Sequence, residues 1–381
     1  MTRRMPGPFA IALALGCSSA ALASAGCDDK KTSDARPSSL DASAGMDKYA
    51  TADPKLAKAL QAAASAAPGN ENGPPPDGIF APGVADKRHP KGAPTTVEML
   101  SDGSEPRMAL NEGAADVVRA SSYGPAALEL GMQMGPRAAV PTVDMSLSIG
   151  AAKKDDGGTD WLVAELKKAT TSKEQFGDLP PGTDKAIATL EGTLLRVKLG
   201  PDGAESDLQV SLGKQAIAEL GRLAQNAAEA LVFATVPLPP KPVGVGAQWI
   251  AESRLPLSGL DVIAYRAFRV KAVEGNRVHL SLDVKAYATT SDTAMPEVPK
   301  GATLQHVDAQ AQGEIELVRG EVLARKSQVQ QRVVMVFSAP PGSQPPAQPG
   351  QPPPPATLNG QTMSQATFVR GDDLRAALRP R

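Results

Sequence analysis

Three histidines are the side chains of this sequence best suited to binding a metal ion or transferring protons at neutral pH. They are His89, His279 and His306, and none has a second histidine or a glutamate at the spacing of H-x-x-x-H or H-E-x-x-H. The two cysteines, Cys17 and Cys27, both lie near the N-terminus. The rest of the sequence therefore offers no thiolate ligand and no disulfide, and we expect neither a metal site nor a cofactor.

Motifs for nucleophilic attack or phosphate binding are missing from the sequence. No G-x-S-x-G elbow occurs, and the segment at Gly213 lacks the Ser or Thr and the upstream glycine of a P-loop. Gly244 and Gly246 begin like a dinucleotide-binding fingerprint, but Trp249 stands where the third glycine belongs. The acidic run 155–160 could bind Ca²⁺ through its oxygens, whereas its position before a predicted strand favours a solvated turn.

Paired carboxylates remain the catalytic arrangement that the composition leaves open. The chain has 41 Asp and Glu residues, enough for two of them to approach each other in the fold and hydrolyse a glycoside. Aromatic residues make up only 3% of the chain, which disfavours a cleft that stacks sugars. The 40 Lys and Arg residues balance the acidic ones, which argues against nucleic acid as a partner.

The first 26 residues predict an export signal. Arg3 and Arg4 give a basic start, residues 9–15 are apolar, and no charged residue occurs between Met5 and Gly26. This order of a basic and an apolar segment is typical of a secretory signal peptide, so residues 1–26 are left out of the fold.

Both cysteines follow small or apolar residues, in Ala23-Ser-Ala-Gly-Cys27 and in Leu13-Ala-Leu-Gly-Cys17. These runs resemble the lipobox of bacterial lipoproteins, in which the cysteine is lipidated and becomes the mature N-terminus. The resemblance implies a lipid anchor on Cys27, where charged residues follow at once, with Cys17 as the alternative. It also implies an exported protein held at a membrane of the cell envelope, facing the periplasm or the exterior. Plain secretion after an A-x-A cleavage and an uncleaved anchor at residues 5–26 remain open.

Two segments have the composition of disordered chain. Residues 27–95 predict a tether, because they contain Tyr49 and Phe80 as their only aromatic residues and bury too little apolar surface to offset chain entropy. Within the tether, residues 54–67 favour a transient helix and residues 87–91 a solvated basic linker. Residues 340–355 hold nine prolines and predict an extended loop, 339–356, inside the domain.

Residues 96–370 predict a single β-rich domain, followed by a tail at 371–381. Apolar residues alternate with polar ones along this part of the chain, which predicts strands with one solvated face. Three hairpins are predicted, at 262–273 with 278–286, at 193–199 with 206–212 and at 314–318 with 322–329. Further strands are predicted at 128–134, 143–149, 161–168, 329–338 and 362–370.

One helix is predicted at residues 211–231, where Leu212, Leu220, Leu231 and several alanines fall on one stripe. Successive hairpins with a single helix between them indicate an α+β domain. We therefore expect a mainly antiparallel curved sheet or open β-barrel, with the helix at about 211–231 covering one face.

A proline- and glycine-rich segment follows the predicted helix, with the sequence Pro237-Leu-Pro-Pro-Lys-Pro-Val-Gly-Val-Gly-Ala-Gln-Trp249. Its prolines predict an extended path, its glycines a tight turn, and its tryptophan an anchor where a strand begins. The segment resembles the P-x-K-P-V-x-V-G-x-x-W signature of an uncharacterised family of exported bacterial proteins and lipoproteins. The resemblance implies a structural motif within residues 95–370 and no activity, and it rests on Pro239, Lys241, Pro242, Val243, Gly246 and Trp249.

Three functions remain open. The favoured one is a lipid-anchored envelope protein that is not an enzyme and binds an apolar ligand or another envelope protein on its curved sheet. The second is a secreted hydrolase with a carboxylate pair, and the third is a scaffold that acts through its tether and its Pro-rich loop. For the first, the candidate pocket residues are Met132, Met134, Met145 and Met335.

The intact mass of the protein extracted from membranes tests the anchor. We expect the mass of a chain that begins at Cys27 and carries acyl chains. A lipidated chain that begins at Cys17 would instead support the alternative site. An unmodified chain in the soluble fraction would contradict both lipid anchors.

Overall fold

The structure is a computed structural model. It describes residues 58–60, 62–63, 75–111, 123–134, 138–152, 160–172, 181–200, 202–292, 295, 298–338, 357–371 and 374. The predicted signal peptide, both cysteines, most of the acidic run at 155–160 and the Pro-rich segment 339–356 lie outside the described residues.

Twelve antiparallel strands form a single sheet, which confirms the predicted fold class. The order across the sheet is β1-β7-β8-β9-β10-β11-β12-β2-β3-β4-β5-β6, and it is not closed, since β1 and β6 remain its edges. The strands are β1 (Thr96–Ser101), β2 (Gly124–Met134), β3 (Ala138–Ala152), β4 (Asp160–Thr171), β5 (Leu194–Leu199), β6 (Glu205–Ser211), β7 (Gln248–Leu257), β8 (Leu260–Glu274), β9 (Arg277–Ala288), β10 (Thr303–Val318), β11 (Lys326–Ser338) and β12 (Thr357–Arg370). The described helices with assigned bounds are α1 (Val84–Arg88), α2 (Thr183–Ala188) and α3 (Gly221–Ala234), with a short 3₁₀ turn at Ala218–Leu220.

The sheet consists of two meanders, in which each strand pairs with the next one along the chain. One meander is β2 to β6 and the other is β7 to β12. They are joined where β12 pairs with β2, and β1 adds to the second meander by pairing with β7. All other strand pairings join consecutive strands, which explains why hairpin signals in the sequence predict most of the sheet.

The three predicted hairpins are all present, with one difference in the third. Strand β11 begins at Lys326 instead of at residue 322. The preceding residues pair with the last residue of α3 and with the chain that follows it: Ala324 donates its N–H to the oxygen of Ala234, and Val236 donates its N–H to the oxygen of Val322. These bonds satisfy backbone groups that the hairpin would otherwise have used.

Helix α3 is shorter than the predicted helix and begins ten residues later, at Gly221 instead of 211. Ser211 still belongs to β6, and Gly213 lies against the chain at the end of α2. The Gly213 N–H donates to Thr193 Oγ1 at 3.1 Å, and a Cβ atom on Gly213 would lie only 2.3 Å from the oxygen of Glu191. This contact holds the residues before α3 in a turn.

The sheet curves around α3. The helix is buried on nearly all sides and contacts strands from different parts of the sheet, namely β5, β6, β7, β11 and β12. Alanines at 224, 227, 228, 230 and 234 let these strands approach the helix closely.

A buried ion pair lies where the two edges of the sheet meet. Arg266 of β8 is fully buried, and its guanidinium donates to both carboxylate oxygens of Glu205, at 2.8 and 2.5 Å. The hydroxyls of Thr95 and Thr235 donate to the same carboxylate. The Thr95 N–H also donates to the Glu205 carbonyl at 2.7 Å. Because Thr95 precedes β1 and Glu205 begins β6, this cluster ties the two edge strands together.

Part of the predicted tether packs on the sheet. Within residues 75–95, Phe80 donates its N–H to the oxygen of Ala288, and its ring lies 5.8 Å from that of Tyr287. Arg88 forms an ion pair with Glu252 at 2.9 Å, so the basic run 87–91 is anchored and not simply solvated. Asp86 pairs with Arg254, and the Gly78 oxygen accepts the N–H of Ala288. Single aromatic, ionic and backbone contacts thus hold a segment with no repeating pattern on β7 to β9.

Arg266→Met is expected to lower the free energy of unfolding by about 3–5 kcal/mol, because it leaves the Glu205 carboxylate buried without a counterion. Adding Glu205→Leu should recover much of this loss, since the double variant buries no charge. Urea unfolding of the two variants measures the difference. Arg107→Ala is the matched control, because Arg107 pairs with Asp102 on the surface and should contribute less than about 1 kcal/mol. An equal loss in the single and double variants would contradict this account.

Candidate functional site

A cleft lies between α3 and the sheet, where the two meanders join. We call it the Glu229 cleft. It is small, with room for about one water molecule. Its lining residues are Leu130, Asn226, Glu229, Ala230, Phe233, Val329, Gln331, Ser364 and Ala366.

The strand register aligns the floor of the cleft. Leu130 of β2 lies opposite Ala366 of β12, which lies opposite Val329 of β11. Ser364 lies two residues before Ala366 in β12, and Gln331 lies two residues after Val329 in β11, so both are on the same face of the sheet as these residues. Ser364 and Gln331 also lie opposite each other. The two side chains from β12 are small, which leaves the space beneath the helix.

One face of α3 forms the roof. Asn226, Glu229, Ala230 and Phe233 recur at positions i, i+3, i+4 and i+7, so they lie together on the helix surface. Two polar side chains of the helix, Asn226 and Glu229, thereby face a floor that also contains the polar residues Gln331 and Ser364.

Glu229 binds the turn that joins β7 to β8. The Ser258 N–H donates to both carboxylate oxygens of Glu229, at 3.0 and 3.1 Å. Ser258 and Gly259 both have positive φ angles, 50° and 80°, as a two-residue hairpin turn with matching twist requires. Gln331 Nε2 donates to Ser258 Oγ at 2.8 Å, and Arg222 donates to the Ser258 carbonyl.

Burial raises the pKa of Glu229 to about 7, while the Ser258 N–H and the Arg222 charge act in the opposite direction. The lining of the cleft contains no basic side chain to hold the carboxyl ionised. A buried carboxyl that titrates near neutral pH inside a cleft is a typical mark of a functional site.

The three candidate methionines whose side chains the structure describes do not line this cleft. Met132, Met145 and Met335 are buried in the main core, and the side chain of Met134 lies outside the described residues. Met132 lies next to the cleft, because Asn226 Nδ2 contacts its sulfur at 2.8 Å.

The motif that ends at Trp249 forms a packing anchor. The Trp249 indole is fully buried, donates to the Pro237 oxygen at 2.9 Å and stacks on Phe268 at 5.3 Å. Gly244 leaves no room for a side chain, since a Cβ atom there would lie 1.7 Å from the oxygen of Ser104.

The other motif positions surround that anchor. Val243 is buried and pairs with Met108, and the Gly246 N–H donates to the oxygen of Val270 at 2.9 Å. Pro239 is buried, whereas Lys241 and Pro242 are exposed, and none of the motif residues lines the Glu229 cleft.

The histidines lie apart from one another. His89 is buried with Nε2 3.2 Å from the Ala93 oxygen, and burial lowers its pKa. His279 lies 3.6 Å from Glu274, and His306 is half-buried on β10. Within the described ranges, no group of three His, Cys, Asp or Glu side chains could hold a metal ion. None of the described helices is long and apolar enough to cross a membrane.

A carboxylate pair is not present in the Glu229 cleft. Glu229 is the single acidic side chain of its lining, and the other buried glutamate, Glu205, is held by Arg266. Glycoside hydrolysis at this cleft would require a second carboxyl group.

Glu229 itself was missed by the sequence analysis. It lies in the Ala-rich run of α3, and the apolar stripe of the predicted helix passes beside it. The signal that could have found it is a single acidic residue within 227–234, a stretch that is otherwise apolar on every side of the helix and is therefore expected to be buried as a whole.

No family model matches the chain, and neither does any curated protein. Among solved structures, the chain is similar to lipovitellin, from a study of lipid–protein interactions, with a TM-score of 0.36 and 9% identity. The match covers 65% of this chain and 25% of lipovitellin, so the chain spans about a quarter of that protein's length. A protein of unknown function of the DUF3598 family from Nostoc punctiforme matches with a TM-score of 0.11 and 8% identity, over 69% of this chain and 99% of that one. At these TM-scores neither likeness carries an argument about function.

Glu229 is expected to make the protein less stable as the pH rises from about 4.5 to about 7. The unfolded chain releases this proton at a lower pH than the folded protein, so the stabilising contribution of the protonated carboxyl is complete at low pH and lost as the pH passes the folded pKa. Glu229→Gln keeps an acceptor for Ser258 and should flatten this dependence, with a gain of at most about 3 kcal/mol above neutral pH. Urea unfolding at a series of pH values measures it. Glu219→Gln, at an exposed position, is the control, and parallel curves for wild type and Glu229→Gln would contradict the assignment.

Proposed function

We propose that this protein is an exported protein of the cell envelope, anchored by a lipid on Cys27 or Cys17. Its β domain would act as a binding module, without enzymatic activity, for an amphiphilic ligand at the Glu229 cleft. The anchor rests on the pattern of the first 27 residues, and the ligand site rests on the geometry of the cleft.

The observation that carries the proposal is the mixture of side chains in the cleft. Leu130, Phe233 and Val329 supply apolar surface, and the carboxyl of Glu229 and the amide of Gln331 lie among them. An apolar lining with a few converging polar groups is typical of small-molecule sites. A buried carboxyl without a counterion in the lining is costly for folding alone, which is why we assign it to binding.

The small size of the cleft restricts the ligand. A space for about one water molecule admits an alkyl chain only if α3 moves away from β12. Ser364 and Ala366, the two side chains that β12 contributes to the lining, are small and so oppose such a movement less than large ones would. The ligand would therefore be a thin chain with a small polar end and not a broad ring system.

Binding of a series of alkanols (hexanol, octanol and decanol) followed by NMR saturation transfer tests the site. We expect the affinity to rise roughly fourfold per added methylene group. Ala366→Leu fills the cleft and should weaken binding at least about tenfold, at a cost to stability of about 1–3 kcal/mol. Gln365→Leu is the matched control, because the adjacent side chain is exposed on the opposite face of β12. Equal binding by the two variants would contradict the proposed site.

A further inference from the structure

We infer that the Glu229 cleft selects amphiphiles whose head group donates hydrogen bonds, such as an alkylammonium or an alcohol, and rejects those with an anionic head group. This inference rests on the proposed function and adds the chemical class of the ligand. It follows from which hydrogen-bonding atoms of the cleft are already used and which are not.

The donor groups of the cleft are used within the protein. Gln331 Nε2 donates to the Ser258 hydroxyl at 2.8 Å, and Asn226 Nδ2 lies 2.8 Å from the Met132 sulfur. The hydroxyl of Ser364 is the remaining polar group on the floor, and it can donate or accept. An anionic head group needs several converging donors, as oxyanion sites show, and the lining does not provide them.

The cleft also contains acceptor atoms. The Glu229 carboxylate has about four lone-pair positions. It receives the Ser258 N–H, shared between its two oxygens, and hydrogen bonds from the side-chain amides of Gln225 and Gln331. The side-chain oxygens of Asn226 and Gln331 add two more acceptors, and no described hydrogen bond reaches either of them. A head group with N–H or O–H bonds would satisfy these atoms at the position now open to one water molecule.

The charge in the cleft favours the same ligands. Glu229 is the only ionisable group of the lining. Arg222 is the nearest basic group that acts on it, but this side chain donates to the Ser258 carbonyl, contacts Gly259 and does not line the cleft. A carboxylate or phosphate head group would therefore meet a like charge in a site of low dielectric constant, and an ammonium would meet an opposite one.

Three probes with the same chain separate these cases: octylamine, octanol and octanoate, titrated by NMR saturation transfer at about pH 8, where the amine is cationic and the acid anionic. We expect octylamine and octanol to bind, and octanoate to bind at least about tenfold more weakly than octylamine. Glu229→Gln should weaken octylamine about tenfold while changing octanol much less, because it removes the charge and keeps an acceptor.

Glu219→Gln is the control, since it makes the same change in net charge at an exposed position outside the cleft. This variant should prefer octylamine over octanoate by the same factor as the wild-type protein does. Thermal unfolding verifies that both variants are folded. Octanoate binding as tightly as octylamine, or unchanged discrimination in Glu229→Gln, would overturn this inference and leave the proposed function standing. Binding of none of the three probes would overturn the proposed function and the inference together.

Discussion

The buried ion pair between Arg266 and Glu205 is the constraint on which the rest of the structure depends. Removing two charges from water costs several kcal/mol for each ion unless their hydrogen-bonding capacity is met inside the protein. Here the carboxylate receives the guanidinium on both oxygens and the hydroxyls of Thr95 and Thr235. These groups come from the start of β1, the start of β6, the middle of β8 and the end of α3. The carboxylate therefore has all of these partners only when both sheet edges and the helix are in place, and this fixes the helix above the cleft.

The two buried glutamates differ in what surrounds them. Glu205 has a full set of partners and is a structural group. Glu229 has a backbone N–H and a neighbouring amide but no cation in its cleft, so burial dominates and its pKa rises to about 7. A group with unused acceptor capacity can exchange partners with a ligand, whereas a fully paired one cannot. That contrast within one interior supports a binding function for the cleft and a structural one for the ion pair.

Much of the fold could be predicted from the sequence, because eleven of the twelve strands pair within two meanders and leave local hairpin signals. The start of α3 could not, since the turn at Gly213 depends on a close contact with Glu191 that no local pattern encodes. The ordered part of the tether could not either, because Phe80 and Arg88 bind the sheet as single anchors without periodicity. The cleft could not be predicted from the sequence for a related reason. Its floor depends on the pairing of β12 with β2, strands that are more than 200 residues apart in the chain.

The position of the cleft beneath that long-range pairing has a consequence for the order of events in folding. The β2 to β6 meander can pair its strands as soon as it emerges, since its contacts are local in sequence and local contacts form fast. The floor of the cleft waits for β12, the last strand in chain order. A chain in which β12 has not yet paired with β2 therefore lacks the floor of the cleft. The cleft is completed only when these two strands, distant in sequence, come together.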